Sequence, residues 1–482
     1  MRQPLAPSSD RRLIFLEQQP DYLHTKLLDE IRSMDFKRLD KQSHVYLDFT
    51  GSGLYGESLL EQHHRFLKEN VLGNPHSSNP TSQLATVHCE AARQAVLDYF
   101  QAGDDYICIF TPNASGALKI VGECYPFCQN GHFLLAYDNH NSVNGIREYA
   151  KKKGADFDYC PLRAEDLRLD AYALDQLLQG PKNKDNKLFA FPAQSNVSGV
   201  KHDLSWIEKA QSLGWDVLLD AAAFVPTNRL DLSMIKPDFV SVSYYKMFGY
   251  PTGLGSLLVR KSAFHKLVKQ WFAGGTVSMV SAVVDKHELH NNHEKFENGT
   301  INFLDIPAVK MGLDMMSLIG VETVQKRVAS LTRWTLAQLQ AMRHQNGQPL
   351  VEIYGPKDGI KRGGTIIFNL LDPNGRVHPF YDVESAANAR NISLRTGCFC
   401  NPGLDEINSC VTNEEMMRYF KYYSGPMQDH KAHFDFIGRM RGAIRISFGM
   451  ISNFQDACSL VDFILPYCDQ LVENIQLTKE LR

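Results

Sequence analysis

Short apolar runs, each followed by a small polar cluster, recur through the middle of the chain at 106–110, 133–136, 188–191, 217–219 and 239–242. Helical spacing intervenes between them from about residue 85 to 310, and that alternation predicts βα units building a mainly parallel sheet. Residues 1–44 are charged and mildly amphipathic, which predicts an N-terminal helix laid over the body or over a partner subunit. The ordered core is expected to begin at Val45-Tyr46-Leu47-Asp48 and a large domain to fill 45–310. A helix over 306–318 would lead into a smaller domain, 311–482, that mixes helices with strands such as 364–370 and 442–448.

Ligands in such sheets gather at the carboxyl ends of the strands. The polar clusters stand at those ends: Thr111 to Ser115, Asp138 to His140, Ser195 with Asn196, Asp220, and Lys246. Five clusters after five separate runs point to one shared site more strongly than any one of them. A chain of 482 residues exceeds one ordinary domain. Its net charge of −3 leaves no basic surplus for nucleic acid or an anionic membrane and suits a small polar substrate. No apolar run at the N-terminus or elsewhere is long enough for targeting or spanning, so a soluble cytoplasmic protein is expected. Ten cysteines without small-domain spacing read as reduced thiols.

Lys246 lies in Ser243-Tyr244-Tyr245-Lys246, between an apolar run and a turn rich in Gly and Pro. Aromatic neighbours remove solvent and favour the neutral, nucleophilic amine that a Schiff-base lysine needs. Asp220 closes a buried run and could pair with a cofactor's pyridinium nitrogen, although an Asp at a strand end also forms turns. Asn113, Ala114 and Ser115 pass from strand to helix, where free amides could hold a phosphate or simply cap the helix. His140 could stack on a cofactor ring or move a proton. Cys398 and Cys400 share a loop with Arg395, conditions that favour a thiolate; with Cys410 they could instead ligate zinc. His287, His290 and His293 also suggest a metal, but their three-residue spacing drifts off one helix face, and a solvated loop or lid is the simpler reading.

Together, the stretches Tyr46-Leu47-Asp48, Gly73-Asn74-Pro75-His76-Ser77, Asp138-Asn139-His140, 219–227, Ser243-Tyr244-Tyr245-Lys246, Phe296-Glu297-Asn298-Gly299-Thr300, 395–403 and Arg445-Ile446-Ser447-Phe448-Gly449 resemble the class V aminotransferase superfamily of pyridoxal phosphate enzymes. Within it they are most similar to the cysteine desulfurases, and in particular to the desulfurase domain of molybdenum cofactor sulfurases. The resemblance implies an α/β fold of type I, with a mainly parallel seven-stranded sheet and a smaller α+β domain. It implies pyridoxal 5'-phosphate bound covalently to Lys246, held by Asp220, stacked by His140, and with Asn196 near its phenolic oxygen. Asn113, Ala114, Ser115, Ser243 and Tyr245 would bind the phosphate, and Thr300 would reach the phosphate of a second subunit in a homodimer. Arg445, with Asn196, would bind the substrate carboxylate, and Cys400 would take sulfur from L-cysteine. Ala223 stands where many bacterial desulfurases have a glutamine that touches the cofactor. The sequence ends at Arg482 with no molybdenum cofactor-binding module, and Leu404 stands where a further cysteine is expected, so the sulfur acceptor is unassigned. Another class V reaction on an amino acid (lyase, epimerase or transamination) and a non-catalytic scaffold of the same fold are the alternatives.

Overall fold

Among the described residues fifteen strands occur in the order β1 Val45–Tyr46, β2 Tyr106–Thr111, β3 His132–Ala136, β4 Asp156–Cys160, β5 Lys187–Pro192, β6 Trp215–Asp220, β7 Phe239–Ser243, β8 Gly255–Arg260, β9 Val277–Ser281, β10 Lys286–Leu289, β11 Val351–Tyr354, β12 Thr365–Leu370, β13 Ile392–Ser393, β14 Arg395–Gly397 and β15 Ala443–Ser447. The structure is a computed structural model that describes residues 8–181, 184–422 and 441–472. The ends of the expected N-terminal segment and small domain, together with 423–440, lie outside the described residues. Seven strands form one sheet in the order β2-β8-β7-β6-β5-β3-β4, and only β8 runs against the others. Strands β3, β5, β6 and β7 are buried along their whole length, which is why they read as unbroken apolar runs. Edge strand β4 alternates exposed and half-buried residues, Asp156 and Asp158 among the exposed ones, so it contributes no apolar run.

A second sheet, all antiparallel, has the order β11-β12-β15-β14. The segment at 45–48, expected to open the large domain, joins this second part of the chain instead: β1 pairs with β13 and Asp48 bridges to Ser447. The N-terminal helices follow it. Arg327 of helix Val321–Ala341 binds Asp29 at 2.6 Å, Arg32 binds Asp456, and Phe15 stacks on Phe454 at 4.5 Å. Helix Ile306–Ile319 forms where the spacing predicts it, with Pro307 in its first turn. The stretch bearing His287 is a two-stranded antiparallel hairpin, β9 with β10, rather than a loop, because Val277–Ser281 pairs with Lys286–Leu289. Among the described residues no helix is long and apolar enough to cross a membrane.

Candidate active site

The carboxyl ends of β2, β3, β5, β6 and β7 converge on a cavity of about 320 Å³. Asn113, Ala114, Ser115, His140, Asn196, Asp220, Ser243, Tyr245 and Lys246 line it, so nine of the predicted site residues meet in one place. Gln194, Ala222, Ala223, Ser142 and Gly253 also line it. On the β2 side the cavity meets helix Ala114–Cys124, whose cap is Asn113: its side chain accepts from Gly116 N at 2.9 Å. The predicted cap and the predicted anion site are therefore one structure, since the cap satisfies one amide and leaves others free for a ligand.

Asp220 ends β6. Its Oδ1 accepts from Ser241 Oγ at 2.9 Å and Ala222 N at 3.1 Å, and both bonds orient the carboxylate while Oδ2 has no hydrogen bond among the described residues. Lys246 sits in the short helix Tyr244–Phe248, which ends at left-handed Gly249 (φ 78°), where any Cβ would collide with Leu54 and Tyr55. Lys246 is half-buried where it lines the cavity, and desolvation pushes its pKa down against the pull of Asp220. Burial, reinforced by Lys246 and Arg445, likewise lowers His140 against the pull of Asp220. Ser142 N donates to His140 Nδ1 at 3.1 Å, which puts the proton of the neutral ring on Nε2. Ser142 Oγ bonds Ser115 Oγ at 2.6 Å, so a hydroxyl pair links the imidazole to the helix start.

The cysteine loop is tied to the cavity from outside. Asn141 N donates to the Cys400 carbonyl at 2.8 Å, Asn196 Nδ2 donates to the Phe399 carbonyl at 2.9 Å, and Asn401 Nδ2 donates to Asn196 Oδ1 at 3.1 Å. Phe399 and Cys400 both have positive φ, 56° and 55°, a conformation that non-glycine residues adopt only when neighbours hold it. It leaves the Cys400 side chain exposed. Cys398 also presents surface, but its sulfur faces Asp405, and desolvation together with that carboxylate pushes the thiol up to about 12.

Arg445 lies on β15 beside Asn196 rather than in the cavity wall. Its Nη2 donates to Asp48 Oδ1 at 2.7 Å, its Nη1 donates to the Asn196 carbonyl at 2.9 Å, and the guanidinium covers the Phe399 ring at 5.0 Å. Arg395, its cross-strand neighbour, binds Asp48 Oδ2 at 2.8 Å. Asp48 thus occupies the fork expected to take a substrate carboxylate. No role for Asp48 was legible beforehand, yet it closes an apolar pair as Asp220 does, and that pattern was the available signal. Thr300 does not reach this cavity within the chain; it lines a neighbouring one, and its hydroxyl accepts from Asn74 Nδ2 at 3.2 Å. Neither metal set assembles among the described residues. His287 packs on Phe272, His290 on Glu294, and His293 on Glu90 and Glu297. The group with metal-like spacing is His344, Cys468 and Asp469, but both nitrogens of His344 are already bonded, to Asp469 N and the Leu371 carbonyl.

Two relatives and one structural neighbour bear on this arrangement. The chain is 37% identical to the molybdenum cofactor sulfurase of Solanum lycopersicum over 91% of its own length and 57% of that protein's. It is also 37% identical to the molybdenum cofactor sulfurase of Homo sapiens, over 91% of this chain and 51% of that one. The chain therefore spans little more than half the length of these relatives. In fold it is similar to an apo cysteine desulfurase of Thermococcus onnurineus NA1, with a TM-score of 0.74 at 22% identity over 91% of this chain and 97% of that one. With the Aminotransferase class-V family model matching residues 45–460, the chain belongs to the class V aminotransferases, a family of pyridoxal phosphate enzymes.

Proposed function

We propose that this chain is an L-cysteine desulfurase that passes sulfur to Cys400. One observation carries the reading: the loop that exposes Cys400 is hydrogen-bonded to Asn141 and Asn196, on the rim of the cavity that holds Lys246. The donor set fits pyridoxal phosphate. A capped helix start with Ser115, Ser243 and Tyr245 suits the phosphate, the free oxygen of Asp220 suits a pyridinium nitrogen, and a desolvated lysine suits the aldehyde. Bound there, the cofactor would supply covalent capture of the amino group and a sink for the electrons of the Cα–H bond.

The protein's residues do the rest. Asp220 would hold a positive charge at the ring nitrogen, His140 would flank the ring, and the lowered pKa of Lys246 would leave its amine able to take the α-proton. Arg445 orients the substrate carboxylate as it yields from Asp48. The Cys400 thiolate then attacks the substrate sulfur. A sulfur–sulfur bond forms, the Cβ–S bond breaks, and its electron pair stays on the carbon fragment, which takes a proton and leaves as alanine. The exposed Cys400 can present the persulfide to an acceptor, whereas the Cys398 thiol, its pKa raised by desolvation and by the facing Asp405, is the poorer nucleophile.

The same reading places residues 45–310, apart from the strand at 45–48 that pairs with the second part of the chain, in a cofactor-binding domain and 311–482 in a smaller one that carries the cysteine loop. It makes the protein a homodimer in which Thr300 serves the partner's phosphate, and its location cytoplasmic. Support for the dimer comes from Thr300 facing a cavity other than that of its own Lys246. The test is incubation with L-cysteine followed by mass spectrometry of the intact and digested protein. Alanine release with one added sulfur on Cys400 is expected; pyruvate or a keto product with unmodified cysteines would transfer the protein to another class V reaction.

A further inference from the structure

Gln194 carries the least explained polar group in the cavity. It is 3% exposed, follows β5, and lines both the 320 Å³ cavity and a smaller one behind Lys246. Its Oε1 accepts from Asn228 Nδ2 at 3.2 Å. The orientation of both amides is determined by groups that cannot exchange roles. Asn228 Nδ2 also donates to the Phe224 carbonyl at 2.9 Å, which can only accept, and Asn228 Oδ1 accepts from the Lys201 ammonium at 3.2 Å, which can only donate. The atom of Gln194 that meets Asn228 is therefore the oxygen, and the Nε2 end has no hydrogen-bond partner among the described residues.

The space around it is made for the amide. A Cβ at Gly363 would land on the Gln194 amide, so the chain keeps a bare backbone there. Ala222 and Ala223, beside Gln194 in both cavities, leave the same region open on the cavity side. Asn196, by contrast, already spends Nδ2 on Phe399 and Oδ1 on Asn401. The Nε2 end opens on the cavity instead, and a donor held in place at one end and facing an enclosed cavity at the other is completed by a ligand acceptor there. We infer that Gln194 Nε2 donates to the phenolic oxygen of the bound cofactor, and that Asn196 serves the cysteine loop instead. This rests on the pyridoxal phosphate reading above.

The consequence is a measurable proton equilibrium. The phenolic oxygen shares a proton with the nitrogen of the lysine linkage, and a donor to that oxygen lowers its basicity. Without the donor the pair holds its proton more tightly, so the pH midpoint of the visible absorption band moves up. Gln194→Leu should raise the midpoint by about one unit, the equivalent of losing one hydrogen bond to a charged acceptor. Gln194→Glu, which keeps a partner for Asn228 but presents an anion to the oxygen, should raise it further. Asn196→Ala should leave the midpoint in place while loosening the cysteine loop. The experiment is a pH titration of the cofactor-loaded proteins by absorbance, with cofactor dissociation constants measured alongside. A wild-type protein that shows no visible band when loaded overturns the cofactor reading and this inference with it. A wild-type band whose midpoint is unchanged in both Gln194 variants, or one that moves in Asn196→Ala and not in Gln194→Leu, overturns this inference alone.

Discussion

Replacing Arg445 by Ala tests how the site distinguishes an amino-acid carboxylate from its own. The Arg445 side chain is 3% exposed and that of Asp48 11%, whereas Arg395 is 52% exposed. The Arg395–Asp48 contact is open to water and contributes about 0–1 kcal/mol. The Arg445–Asp48 pair is desolvated, and removing one partner of such a pair costs about 2–5 kcal/mol. A substrate carboxylate gains less than that, because it has to displace or share Asp48. The low end of the range, about 2 kcal/mol, corresponds to a rise of roughly thirtyfold in KM for L-cysteine in Arg445→Ala. Asp48→Asn separates the two effects: it should lower KM, since the fork no longer holds an anion, and it should destabilise the fold by about 3 kcal/mol through the unpaired buried cation. Alanine release against L-cysteine concentration reads the first quantity and urea unfolding the second. Wild-type KM in Arg445→Ala would show that another residue holds the carboxylate, and a raised KM in Asp48→Asn would show that Asp48 positions Arg445 rather than competing for it.

Lys246→Ala should abolish the visible band of the cofactor-loaded protein, checked by absorbance; an unchanged spectrum would exclude Lys246 as the attachment point. Cys400→Ser should bind L-cysteine yet lose at least a hundredfold in alanine release, on the order of 3 kcal/mol of barrier, and gain no sulfur by mass spectrometry, while Cys398→Ser keeps most of the activity. Burial and Arg93 hold the His293 pKa down at about 4, below its unfolded value, so protonation favours the unfolded chain. That stability is complete above about pH 6.5 and is lost as the pH falls toward 4; His293→Gln should flatten this segment of a pH–urea midpoint profile by on the order of 2 kcal/mol, and a profile parallel to wild type would contradict the shift.

The βα core and the cavity wall were legible because both follow from local pattern. Strands buried on both faces leave apolar runs, and the residue after each run is placed at a carboxyl end whatever the loops do, so 111–115, Asp138 to His140, Asn196, Asp220 and Lys246 could be gathered before any contact was known. Strand β4 was not legible, since an edge strand with alternating exposure resembles a loop. The hairpin over His287 escaped for a related reason: pairing between β9 and β10, not composition, makes it a strand.

Sequence by itself determined which residue types stand at the strand ends, and hence a lysine, an aspartate and a helix start that suit one cofactor. Only the tertiary structure decided how long-range partners divide the remaining work. Asp48 meets Arg445 across 397 positions, Asn196 meets Phe399 across 203, and Gln194 meets Asn228 across 34. These pairings turn an expected substrate fork into one already occupied by an anion, turn Asn196 toward the cysteine loop, and leave the free amide donor on Gln194. The reason is physical: a buried polar atom takes its role from the groups it is enclosed with, and residues hundreds of positions apart are brought together by packing of the two sheets, which no local spacing encodes.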